Sequence, residues 1–152
     1  MKKQVITSFI VLLFIFNTHG QSKYPQNYFR VPLDIPMILA GTFGELRSAH
    51  FHSGIDLKTQ QKEGLRVYTA NKGYVSRIKI SNWGYGKAIY ITHPNGYTTV
   101  YAHLKKFNKK IEKYIREYQY KVEKEEVQLF PKKGTILVKK DEITAFSGST
   151  GR

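Results

Sequence analysis

The chain has 152 residues and no cysteine, so one domain is the natural expectation, and disulfide scaffolds and thiolate metal sites are excluded. Its 25 Lys and Arg outnumber 11 Asp and Glu, for a formal net charge of +14. That excess suits an anionic partner: nucleic acid, a membrane surface or a cell-wall polymer.

Lys2 and Lys3 precede a nearly unbroken apolar run, "VITSFIVLLFIF" (Val5 to Phe16), and then "NTHG", with Thr18 and Gly20 as small residues at the exit. This is the layout of a secretory signal peptide over residues 1–20. An apolar run of ~12 residues falls short of the ~20 needed to span a bilayer. No stable membrane anchor is therefore expected after cleavage. The absence of a cysteine near the cut argues against a lipoprotein. Export to the periplasm or the cell exterior argues against nucleic acid, and charge alone decides nothing more. Taking Lys2 and Lys3 from +14 leaves +12 on the mature chain.

Residues 21–41 read as a leading segment, with "QSKYPQ" as its linker. Residues 42–152 read as the main domain. Within it, His52 and Asp56 stand four apart in "HFHSGID". Even spacing on a strand puts both on one face and turns Ile55 and Leu57 to the core side. A straight strand would hold their Cα atoms about 13 Å apart, so shared ligation requires a bend, which Ser53-Gly54 can supply. The spacing alone leaves open both a metal site and an ordinary polar strand face.

Val67 to Ala70 reads as a short strand. Tyr74 to Ile80 alternates, with Val75, Arg77 and Lys79 on one side and Tyr74, Ser76, Ile78 and Ile80 on the other. After the glycine-rich "SNWGYG", the segments "KAIYIT", "HPNG" and "YTTVYAH" predict a hairpin turning at Pro94-Asn95-Gly96. His103 closes its second strand and His93 sits at the surface turn. Ile111, Tyr114, Ile115, Tyr118 and Val122 mark one face of an amphipathic helix over about 109–124, with Asn108 as N-cap. Strands return at Val127 to Phe130, Thr135 to Val138 and Glu142 to Phe146. The fold class is all-β: an antiparallel sheet or barrel-like core with one inserted helix.

Four stretches, taken in order, carry a resemblance. "RSAHFHSGIDL", "VYTANKGYVSRI", "WGYGKAIYITHPNGYTTVYAHL" and "VKKDEITAFSGSTGR" together resemble the lysostaphin/LytM-type zinc metalloendopeptidases of bacterial cell walls. The resemblance implies Zn2+ as cofactor and peptidoglycan cross-links as substrate. The family's H-x-x-x-D motif falls on His52 and Asp56 as metal ligands. Its "Y-x-H-L" histidine falls on His103, a catalytic residue that would assist the attacking water or stabilise the tetrahedral oxyanion. The family's H-x-H, whose second histidine is the third ligand, is expected just after "SGSTG", and the sequence reaches Arg152 without it. The domain is therefore expected to be C-terminally incomplete and inactive as it stands. His50 is expected to be a neighbour of the site rather than a ligand. Two other readings share the fold: a non-catalytic regulator of wall hydrolases, and an inactive truncated product.

Mass spectrometry of the protein from its host should find a mature N-terminus near Gln21. Intact Met1 to Gly20 on a membrane-bound protein would reverse the signal-peptide reading.

Overall fold

The computed structural model describes residues 26–48 and 50–151. The signal peptide expected over 1–20 and the first part of the linker lie outside the described residues. Among those residues no helix is long and apolar enough to cross a membrane.

The described residues form ten strands and one helix in chain order: β1 (Leu39–Gly41), β2 (Asp56–Leu57), β3 (Arg66–Tyr68), β4 (Gly73–Ile80), β5 (Ala88–Thr92), β6 (Thr98–Tyr101), β7 (Leu104–Phe107), α1 (Lys109–Val122), β8 (Val127–Leu129), β9 (Leu137–Val138) and β10 (Ile143–Ser147). All pairings are antiparallel. They form three sheets, β1-β2, β3-β10-β7 and β6-β5-β4-β8, with β9 also on β4. The core is all-β with one helix, as the sequence indicated. Its described strands make separate sheets and no closed barrel.

The β5–β6 hairpin has the expected turn. Thr92 pairs with Thr98, the His93 amide donates to the Tyr97 carbonyl at 2.8 Å, and Gly96 takes φ +85°. Only glycine adopts that backbone without strain.

The alternation read in β4 is interrupted. Val75 and Ile78 are both fully buried although they stand three apart. The pairing with β5 explains this: Val75 faces Ile91 and Arg77 faces Tyr90, so Ser76 is an extra residue. Such a bulge rotates the strand and moves the residues beyond it to the opposite face. Arg77 lies over the Tyr90 ring at 4.7 Å and donates to Gln128 at 2.8 Å, tying β4 to β5 and β8. It is a stacked residue rather than a freely solvated one.

Helix α1 covers the core with Ile111 and Ile115. Asn108 caps it by accepting the Ile111 amide at 3.0 Å, and Glu112 turns back to accept the Phe107 amide at 2.8 Å. These bonds satisfy donors that the first turn leaves open. The helix ends at Glu123 in the left-handed region, φ +53°.

The leading segment is held to the body. Leu33 joins the core, Arg30 pairs with Asp34 and Asp141, and the Tyr68 amide donates to the Pro32 carbonyl at 2.9 Å.

Ile78 packs between the β5 and β8 faces, opposite Ile89 and Leu129, with no exposed surface. Ile78→Ala should lower the unfolding free energy by about 2–5 kcal/mol in urea melts. A loss under ~1 kcal/mol would mean that the core closes around the cavity.

Candidate metal centre

His52 and Asp56 do not share a strand. Asp56 opens β2, whereas His52 lies on a preceding hairpin whose amide donates to the Glu45 carbonyl at 2.8 Å and whose carbonyl accepts from Gly44 at 2.8 Å. The chain bends at Gly54 between them. This bend makes Ile55 54 % exposed rather than part of the core, while Leu57 packs against the core as expected.

The bend brings the two side chains together. His52 Nε2 lies 3.3 Å from Asp56 Oδ1. His52 Nδ1 lies 2.9 Å from the Thr42 carbonyl, which can only accept, so Nδ1 carries the proton. The Arg47 guanidinium at 3.4 Å from Nδ1 is then a contact between two donors, not a hydrogen bond. In the neutral ring, Nε2 is left as a bare acceptor facing a carboxylate oxygen. Two acceptors at this distance repel unless a proton or a metal cation lies between them.

Zinc suits that gap. Bonds of about 2.0–2.1 Å place two ligands of a tetrahedral ion ~3.3–3.4 Å apart. Each ligand's other end is tied, His52 to Thr42 and Asp56 Oδ2 to Arg47 at 2.8 Å. Such outer bonds orient metal ligands. Among the described residues no group of three His, Cys, Asp or Glu is placed to hold a metal.

His103 arrives from another direction. It does not close β6. It occupies the left-handed region, φ +54°, at the step from β6 in one sheet to β7 in another. Its amide donates to the Tyr85 carbonyl at 2.9 Å, and its Nδ1 donates to the Thr150 carbonyl at 2.8 Å. Nε2 is thereby left as the ring's acceptor. Tyr85 stands edge-on to the His103 ring, centroids 6.4 Å apart, and its hydroxyl shares a hydrogen bond of 2.5 Å with Ser53. Ser53 adjoins His52, so Tyr85 links the two histidine arms.

Two glycines make this arrangement possible. A Cβ on Gly86 would lie 2.4 Å from the Thr150 backbone, and one on Gly151 would lie 2.1 Å from the Gly86 nitrogen. The "SGSTG" loop therefore packs backbone to backbone on the "GYGK" loop. Thr150 Oγ1 completes the join, accepting from the Lys87 amide and donating to the Leu104 carbonyl, each at 3.0 Å.

The remaining histidines have other places. His50 is exposed, and its carbonyl accepts from the Arg47 amide at 2.9 Å. His93 is not a surface residue as expected. It is 3 % exposed, because the Phe29 ring packs on it and both its nitrogens are bonded, to the Lys72 carbonyl at 2.9 Å and Thr99 Oγ1 at 2.8 Å. Arg47, Tyr85 and Thr150 escaped the sequence reading as residues of the site. The paired glycine-rich loops were their only visible trace.

The model of peptidase family M23 matches residues 50–120, a span that contains His52, Asp56 and His103. Over that span the chain is similar to peptidase family M23. No curated protein matches it. The M23 span ends within α1, so the loop at residues 147–151 that holds His103 lies beyond it and is assigned to the site by its contacts alone.

Gly86→Ala should separate the two loops. Loss of more than ~1 kcal/mol is expected in urea melts, together with loss of the protected His103 Nδ1 proton in NMR spectra. A variant that keeps both would show that the loops can part without releasing His103.

Proposed function

We propose that this chain, similar to peptidase family M23 over residues 50–120, is the peptidase core of an exported zinc endopeptidase that hydrolyses peptide cross-links of bacterial peptidoglycan. One observation carries the zinc assignment: two acceptors, His52 Nε2 and Asp56 Oδ1, face each other across a tetrahedral edge of 3.3 Å with their outer ends tied. Zinc, when bound, supplies Lewis-acid polarisation of the scissile carbonyl and a lower pKa for the attacking water. His52 and Asp56 would hold it, and the resemblance implies a third ligand from an H-x-H motif.

The chain's own residues do the rest. His103, with Nδ1 committed to Thr150, presents Nε2 to take a proton from water or to hydrogen-bond the oxyanion as its protonated form. Tyr85, anchored on Ser53, holds the ring edge between the two arms. The positive net charge draws the chain to an anionic wall. The resemblance to wall peptidases and the signal-peptide pattern support export and this substrate.

The test compares residues 21–152 with a longer chain that includes an H-x-H, measuring zinc content and release of peptides from purified peptidoglycan. The short chain should bind zinc weakly and cleave nothing. The long chain should do both, and His52→Ala or Asp56→Ala should abolish both. His103→Ala should keep the zinc and lower kcat by about 10²–10⁴-fold. Wall binding without zinc or cleavage in the long chain would favour the non-catalytic regulator instead.

A further inference from the structure

Arg47 is the residue on which the candidate metal centre converges from outside. A single nitrogen, Nη2, lies 2.8 Å from Asp56 Oδ2 and 3.0 Å from Glu45 Oε2. These bonds, to Asp56 first and Glu45 second, raise the guanidinium's pKa above its ordinary value, so it remains a cation. Its Nε is enclosed without a hydrogen-bond partner, so the side chain is set by Nη2. A carboxylate free to rotate presents either oxygen, or both, to a metal. With Oδ2 fixed on Arg47, Oδ1 alone faces His52 Nε2.

The backbone makes room for this clamp. A Cβ on Gly41 would lie 2.5 Å from Arg47 Nη2 and 2.7 Å from Asp56 Oδ2. Gly41 pairs with Asp56 across the β1–β2 sheet, so the missing side chain leaves space at the point where the clamp closes. A cation beside a metal ion would ordinarily oppose binding. Glu45 counters this, because its carboxylate shares the same Nη2 and the Glu45–Arg47 pair is neutral overall. The orienting effect then remains without the full charge penalty.

We infer that Arg47 is a positioning residue for the metal: its guanidinium clamps Asp56 Oδ2 so that Oδ1 is presented, singly and in register with His52 Nε2, to zinc. The inference rests on the zinc reading of the site. It adds a third side chain that touches no metal yet sets the affinity for it.

The experiment titrates Zn2+ into residues 21–152, following the His52 ring nitrogens by NMR, which reads weak affinities. All variants are titrated well below the lowest melting temperature of the set. Arg47→Met should weaken zinc by about 10–100-fold, the usual cost of losing an outer partner of a metal ligand. Arg47→Lys, which keeps one charged donor, should recover part of that loss. A merely structural role would not give this rescue. Wild-type zinc affinity in Arg47→Met, or an equal loss in Arg47→Met and Arg47→Lys, overturns the inference and leaves the zinc reading intact, provided that His52→Ala abolishes binding. No zinc on the wild-type chain overturns the zinc reading and this inference together.

Discussion

Two acceptors held face to face are an unfavourable pair, and the site depends on how the fold enforces it. His52 Nε2 and Asp56 Oδ1 stay 3.3 Å apart because each is tied from behind, one by a backbone carbonyl and the other by a guanidinium. The ties come from different pieces of chain, Thr42 after β1 and Arg47 on the hairpin. Neither ligand is placed by core packing. Phe51 and Leu46, which bracket the hairpin that carries His52, are 68 % and 74 % exposed. Hydrogen bonds and the β1–β2 pairing set the geometry that a buried scaffold would otherwise supply.

His103 is placed by the opposite method. Its arm leaves the best-packed part of the molecule, where Ile89, Ile91 and Leu104 are almost wholly buried. The ring is then fixed by a loop join that excludes side chains altogether. Gly86 and Gly151 allow the Thr150 carbonyl to reach Nδ1, and no larger residue fits at either position. The hairpin that carries His52 and the arm that carries His103 thus meet through the hydrogen bond between Ser53 and Tyr85.

Much of this was legible in the residue order. The Pro94-Asn95-Gly96 turn, the helix with its Asn108 cap and the strands β8 and β10 follow from local rules, because each depends on residues a few positions apart. The His52–Asp56 pair was visible as a spacing, and its approach through a bend as a need of that spacing. What escaped were features set by partners far along the chain. The bulge at Ser76 appears only in the register with β5. His93 looked like a turn residue, and becomes buried because Phe29, 64 positions earlier, folds over it. Nothing in the residue order pointed to Arg47, and its contact with Asp56 emerges only when Gly41 and Asp56 are paired.

The distribution of burial has a thermodynamic consequence for metal binding. A ligand that binds only the folded arrangement stabilises it in proportion to its occupancy. That stabilisation matters most where packing contributes least. In this fold the least packed element, the β1–β2 sheet with its hairpin, carries both candidate ligands, while the core sheets stand without them. A cation between His52 and Asp56 would therefore act mainly on the hairpin, ordering Phe51 to Asp56 against Thr42 and Arg47, and little on β4, β5 or α1. The fold and the candidate site are in this sense separable: the core holds His103 and the loops, and a cation between His52 and Asp56 would act on the piece of structure that the core does not reach.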